Sequence, residues 1–194
     1  MSVKKMVQVG FLAAVGFLLM FTVEFPLPLL PPFLKYDPSE VPALIAAFAY
    51  GPWVGVLVEM VKNILFFISG KATSGIIGFL GASIAGCTYV LVAGSVYEHW
   101  RTKTGALASL LVGSAALVIV MSLANYFILL PLWGIPREEV GGLIISAVVP
   151  FNAVKGFLSG LISFVVYKRV RVFLGEVTET KKPGEEVSEM RVGK

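Results

Sequence analysis

Long apolar runs, broken at short intervals by proline, glycine and charge, dominate the pattern of this chain. The first run extends from about Val7 to Val23 and ends at the stretch Phe25–Pro32, which holds four prolines. That stretch cannot continue a helix, because each proline fixes φ and removes a backbone donor. A long ordered loop is therefore expected from Glu24 to Glu40. Two spans follow in quick succession, Val41–Tyr50 and Trp53–Ser69, divided by Gly51-Pro52. The shorter one falls short of a bilayer at about 1.5 Å per residue unless it is tilted or capped by protein. Further spans cover Ser74–Tyr97, Gly105–Leu132 and Gly142–Lys168. No internal repeat is apparent, which disfavours an inverted-repeat transporter. The pattern predicts an all-α integral membrane protein, a compact bundle of six transmembrane helices with a long structured outer loop between helices 1 and 2.

Composition agrees with this picture and sharpens it. Hydrophobic residues make up 57% of the 194 positions and charged residues only 14%, against about 25% charged in a soluble domain. Residues 1–174 form one transmembrane domain, which the polar clusters described next mark as substrate-binding. Nine of the twenty residues from Gly175 to Lys194 are charged, so 175–194 reads as a solvated, disordered cytoplasmic tail. The run after Lys4 and Lys5 lacks a small-residue cleavage pattern and is read as a retained first helix, not a signal peptide. A single cysteine, Cys87, excludes a disulfide within the chain and a cysteine metal site. The one histidine, His99, sits in a polar connection and reads as a solvated loop residue. The net charge of +4 is informative through its sidedness and does not point to nucleic acid. Lys4, Lys5, Arg101, Lys103, Lys168, Arg169 and Arg171 gather on one side; Lys35, Lys71 and Arg137 lie on the other, beside Asp37, Glu40, Glu138 and Glu139. The richer basic side is expected to be cytoplasmic, which puts both termini in the cytoplasm and the proline-rich loop outside the cell membrane.

Ionisable and amide side chains inside a span are costly unless they are paired or line a cavity. Glu59, Lys62 and Asn63 are spaced to share one face of the third span, and Asn152, Lys155 and Ser159 do the same in the sixth. Asn125 lies in the outer half of the fifth. Lys155 falls near the middle of its span with Asn152 one turn outward, so these groups converge on a pocket open to the outside. No acidic residue in the fifth or sixth span can pair with Lys155, which favours ligand contact for Lys155 and Asn125. Glu59 and Lys62 are read as neutralising each other, and helix-to-helix glue is the alternative for the asparagines. Gly78, Ala82 and Gly86, with Gly81 and Ala85 alongside, make a small-residue face on the fourth span, suited to helix packing or to a flat ligand. Gly10, Ala13 and Ala14 make a second such face on the first span, suited to a partner helix. Gly70-Lys71-Ala72-Thr73 imitates the end of a phosphate-binding loop but lacks the upstream glycine and the preceding strand. No paired carboxylates, histidine ligands or serine nucleophile motif occur within the spans, so catalysis is not expected.

The segment from Phe33 to Pro52, followed by Gly55–Asn63, Asn125-Tyr126 and Pro150–Gly156, resembles the riboflavin-binding S components of energy-coupling factor (ECF) vitamin transporters. The likeness covers about residues 5–172. It implies a substrate-capture subunit without catalytic activity and without a cofactor, which takes riboflavin from outside as the transported ligand. It also implies association with a transmembrane coupling protein and two ATPases, in a bed of membrane lipids. On this resemblance Asn125 and Lys155 are polar contacts to the flavin, with Asn152, and Asn63 joins the candidate contacts. Leu34, Tyr36 and Asp37 of the outer loop close the site, and Gly10, Ala13 and Ala14 dock the coupling protein. The family pattern there is usually alanine at both ends of a four-residue step, and glycine stands here at position 10. A flat ring with a hydroxylated chain suits an apolar slot with a few fixed donors and acceptors. Phe33, Tyr36 and Trp133 are placed to cover such a ring, with membrane-interface anchoring the alternative for Trp133.

Rival readings are an S component for another vitamin, an intramembrane enzyme acting on a lipid or isoprenoid, and a small channel or scaffold. A cationic vitamin would prefer acids and aromatics to the Asn–Lys set. The enzyme would need metal-binding carboxylates or a histidine dyad, and the sequence offers neither.

Overall fold

The computed structural model describes residues 3–174. The charged stretch 175–194 lies outside the described residues, as do the side chains of Lys168, Arg169 and Arg171, on which part of the sidedness argument rests. The elements run α1 (Val3–Val23), β1 (Phe25–Pro26), β2 (Lys35–Tyr36), α2 (Glu40–Tyr50), α3 (Pro52–Ile68), α4 (Gly75–His99) and α5 (Lys103–Ala124). A π-helical turn (Asn125–Leu129) and α6 (Leu130–Leu132) prolong α5. After a short connection, α7 (Arg137–Leu143), a second π-helical turn (Ile144–Val148) and α8 (Val149–Leu174) complete the described residues. Among the described residues four rods, Val3–Val23, Gly75–His99, Lys103–Leu132 and Arg137–Tyr167, are long and apolar enough to cross a membrane. The expected helix boundaries hold to within a few residues, except that the last rod starts at Arg137, inside what the sequence suggested was a connection.

Between α1 and α2 the chain is not wholly irregular. Phe25 pairs with Tyr36 and Pro26 with Lys35 in a short antiparallel ladder, which fastens the proline-rich excursion at its base. Helix α2 is the axis of the molecule: nine of its eleven residues are buried, and it packs against α1, α3, α4 and α8. Its enclosure explains how so short a helix is tolerated, since neighbouring helices surround it along most of its length. Gly51 makes the α2–α3 reversal possible with φ 103°, a backbone region that side-chain-bearing residues rarely adopt. At Gly55 the backbones close in: an added Cβ would lie 2.5 Å from Val90 Cγ1 and 2.6 Å from Ala47 Cβ, so α2, α3 and α4 meet there only because no side chain intervenes.

The two π-helical turns have a common cause. Each ends two residues before a proline, Pro131 or Pro150. A proline inside a helix lacks the N–H its i−4 carbonyl needs, and its ring collides with that carbonyl. The i−4 residues are Phe127 and Ser146, each inside its π-helical turn, where the widened backbone relieves the collision without breaking the rod.

Candidate functional site

Beneath the loop between α1 and α2 lies a cavity with about 130 Å³ of room for the centres of water molecules. That is room for several waters or for a small organic molecule, and far too much for a lone ion. Its wall is assembled from widely separated parts of the chain: Met20 of α1, the loop residues Phe33, Leu34 and Asp37, Asn63 and Phe66 of α3, the N-terminal half of α4, Asn125, Trp133, and Phe151, Asn152 and Lys155 of α8. Phe33 stacks on Trp133 with ring centroids 5.7 Å apart and planes 30° apart, so the two aromatic rings act together. Lys35 reaches from the loop to Glu24 Oε2 (3.1 Å) and Thr73 Oγ1 (2.8 Å), tying the loop to the end of α1 and to the α3–α4 connection.

Of the residues singled out from the sequence, Asn63, Asn125, Asn152, Lys155, Leu34 and Asp37 all line this one cavity. Tyr36 does not. It is buried behind the wall, edge-on to Phe25 at 5.7 Å, because β2 alternates and turns Tyr36 away from the face that Lys35 and Asp37 share. Burial pushes its phenol pKa above the ordinary value.

The asparagines are held in a particular way. Asn125 Nδ2 donates to Met121 O and Asn152 Nδ2 to Val148 O, each at 2.8 Å. One end of each carboxamide is thus spent on its own helix, beside a π-helical turn. Among the described residues, Asn152 Oδ1 and Asn63 Oδ1 are buried acceptors with no partner. Such groups cost free energy if left unpaired, and both side chains belong to the cavity wall.

The expectation for Lys155 needs correction. It is not a lone ammonium: Glu40 Oε1 lies 2.6 Å away and Asp37 Oδ2 3.7 Å away. The partners come from the loop and from the first residue of α2, more than a hundred positions upstream, where an inspection of the fifth and sixth spans could not find them. Glu40, which stands behind the cavity wall against Lys155, escapes a reading of the sequence for that reason. Burial alone would raise the Asp37 carboxyl pKa, but the Lys155 and Lys62 ammoniums outweigh it and hold it below its usual 3.8. Lys62 is paired with Glu59 at 2.7 Å and donates to Ser39 Oγ at 2.6 Å, and Ser39 N–H donates to Asp37 Oδ1 at 3.0 Å. A continuous polar layer thus underlies the cavity floor, with Glu59 and Lys62 fully inside it, as their spacing suggested.

The small-residue faces divide. On α4, Gly78, Gly81, Ala82 and Ala85 line the cavity, whereas Gly86 faces the Glu59 carboxylate so closely that a Cβ would overlap it. One face therefore serves both purposes considered for it, a flat surface outward and close helix packing inward. On α1 the three candidates do not share a face. Ala13 belongs to the buried core, while Gly10 and Ala14 are exposed with Val7, Phe11 and Leu18.

The family model described as "ECF transporter, substrate-specific component" matches residues 4–167. The riboflavin transporter RibU of Staphylococcus aureus (strain TCH60) is 32% identical over 180 residues, covering 90% of this chain and 94% of that protein. The riboflavin transporter FmnP of Bacillus subtilis (strain 168) is 32% identical over 182 residues, covering 90% of this chain and 95% of that one. A solved structure, titled as the S component of a bacterial ECF transporter, superposes with a TM-score of 0.74 at 34% identity, covering 88% of this chain and 97% of its own.

Proposed function

We propose that this chain, which belongs to the family of ECF transporter substrate-specific components, captures riboflavin from outside the cell and delivers it to an ATP-driven coupling module. The observation that carries this reading is the cavity itself. It joins the Phe33–Trp133 stack and the side-chain-poor surface of α4 to two unpartnered amide oxygens and an anchored ammonium. A flavin presents a flat ring, a ring edge where carbonyls flank an N–H, and a hydroxylated chain. The flat surfaces suit the ring, and the amides and ammonium suit its polar atoms. Asn63, Asn125, Asn152 and Lys155 are the proposed polar contacts, with Leu34 and Asp37 closing the site. Tyr36 supports the loop from behind. As members of a transporter family act, the chain binds and passes on its ligand and performs no chemistry on it.

In this reading six segments cross the plasma membrane, the four long rods together with α3 and the enclosed α2. Both termini are cytoplasmic, following the basic residues at Lys4, Lys5, Arg101 and Lys103. The coupling protein, which carries two ATPases, meets α1 on the lipid-facing side where Gly10 and Ala14 leave room between Val7, Phe11 and Leu18. Titration of the purified chain with riboflavin, followed by quenching of flavin fluorescence, tests the ligand. Saturable binding that thiamine and biotin do not displace is expected. Binding of another vitamin in its place refutes the ligand while leaving the family intact.

A further inference from the structure

The hydrogens of the Lys155 ammonium are unequally committed. Glu40 Oε1 stands 2.6 Å from Nζ, within hydrogen-bond reach, while Asp37 Oδ2 at 3.7 Å is beyond it. Lys155 and Asp37 belong to the cavity wall; Glu40, 2% exposed, stands behind it. Glu40 is itself fixed on two counts. Its other oxygen accepts the Ser159 hydroxyl at 3.4 Å, from one turn further along the same helix as Lys155. It also opens α2, whose N-terminal end favours a carboxylate and whose neighbours enclose it.

We propose that Glu40 is the positioning residue of this binding site: it grips the Lys155 ammonium from behind, so that Lys155 keeps a hydrogen, and Asp37 an oxygen, free for the ligand. The inference rests on the riboflavin reading for its choice of ligand. A lysine side chain has four rotatable bonds, and without Glu40 its ammonium would close onto Asp37. Asp37 Oδ2 would then be spent on the lysine, and the two hydrogens left on the ammonium would be drawn away from the direction Glu40 gives them, so that donor and acceptor no longer stand side by side for the ligand. With Glu40 in place, an open donor and an open acceptor stand side by side on the wall. That pair complements any ligand group carrying an acceptor next to a donor, such as neighbouring hydroxyls or a carbonyl beside an N–H.

The test is a double-mutant cycle on riboflavin affinity in the full chain, using Glu40→Gln, Lys155→Met and the two combined, with thermal midpoints measured separately. Glu40→Gln and Lys155→Met are each expected to weaken binding about tenfold to hundredfold. The double variant is expected to bind no more weakly than Lys155→Met, because Glu40 acts only through the ammonium. Losses that multiply in the double variant, or a Glu40→Gln protein that binds like the parent, overturn the proposal. A merely structural Glu40 would lower affinity by the same factor with and without the lysine. Should Glu40→Gln not fold, the double variant removes the pair together, a change buried pairs tolerate. Its comparison with Lys155→Met then decides: equal affinities support the proposal and a further loss overturns it. A parent that binds another vitamin refutes the ligand reading alone, and the same cycle is then run with that vitamin.

Discussion

Removing Lys62 is the sharpest probe of the polar layer beneath the cavity. Its ammonium lies 2.7 Å from Glu59 Oε1 and 2.6 Å from Ser39 Oγ, and both charged side chains are essentially sealed, at 1% and 0% exposure. In Lys62→Met the Glu59 carboxylate would keep only the Asn63 Nδ2 donor at 3.2 Å, with its second oxygen already unpartnered. Breaking one side of a buried pair costs about 3–5 kcal/mol, whereas replacing both sides with neutral groups of similar size is close to neutral. In a chain of this size about 1 kcal/mol moves the midpoint by roughly 2–4 °C. Lys62→Met should therefore melt on the order of 6–20 °C below the parent, and Lys62→Met with Glu59→Gln should recover most of that loss. Neither Lys62 nor Glu59 lines the cavity, so the double variant should bind riboflavin within a few-fold of the parent. The assay is thermal unfolding in detergent, followed by intrinsic tryptophan fluorescence, alongside the flavin titration. A single variant that melts within a degree of the parent would show that the pair contributes nothing to stability. A double variant as unstable as the single would show that the lysine acts by its shape, not its charge.

Other expectations follow from the same geometry. Asn152→Ala and Asn125→Ala should each weaken riboflavin binding about tenfold to hundredfold with little change in midpoint, because each removes a ligand bond from an otherwise intact wall; unchanged affinity in both refutes the contacts. The folded Asp37 carboxyl titrates below 3.8, so its ion pairing stabilises the fold fully above that pH and is lost as the pH falls through the lowered value. The parent's midpoint should thus fall more steeply than that of Asp37→Asn below about pH 4, and identical acid profiles would refute the pairing. Ala14→Trp should keep riboflavin binding while losing co-purification with the coupling protein, whereas Ala13→Trp should fail to fold; the reverse pattern would turn α1 around. Gly86→Ala should be strongly destabilising, because its Cβ would occupy the place of the Glu59 carboxylate, and a parent-like midpoint would count against that close packing.

How much of this was legible in the sequence follows from the range of each signal. Apolar runs and prolines act locally, so the helices and the loop between α1 and α2 could be placed from the chain alone. Spacing along one helix is equally local, which is why Glu59, Lys62 and Asn63 were recognised as one face, and Asn152, Lys155 and Ser159 as another. What joins one face to another was not legible. Lys155 looked unpaired because its partners are set by the path of the loop and by the burial of α2, neither of which leaves a periodic trace. Gly10, Ala13 and Ala14 looked like one face because small size was counted without orientation. A helix turns about 100° per residue, so Ala13 sits about a quarter-turn round from Ala14, and here that step carries it off the side marked out by the larger exposed neighbours Val7, Phe11 and Leu18 and into the core.

The π-helical turns are the instructive intermediate case. Their signal was on the page as Pro131 and Pro150, each inside a run otherwise apolar enough to be one helix. Either the helix breaks at such a proline or its preceding turn widens, and the length needed to cross a bilayer argues for widening. A widened turn changes the helical phase of everything beyond it. Asn125 opens one such turn, and Asn152 lies one helical turn beyond the other, donating to the last residue of it, Val148. Both asparagines line the cavity as expected, but counting residues at a constant pitch leaves out the change of phase at these turns. Filling the two prolines with alanine would let both rods return to regular α-helix and rotate Asn125 and Asn152 relative to the rest of the wall. Pro131→Ala and Pro150→Ala should thus leave the fold as stable as before or more so, yet weaken riboflavin binding. Affinity that stays at the parent level in both variants would show that the π-helical turns do not orient the asparagines.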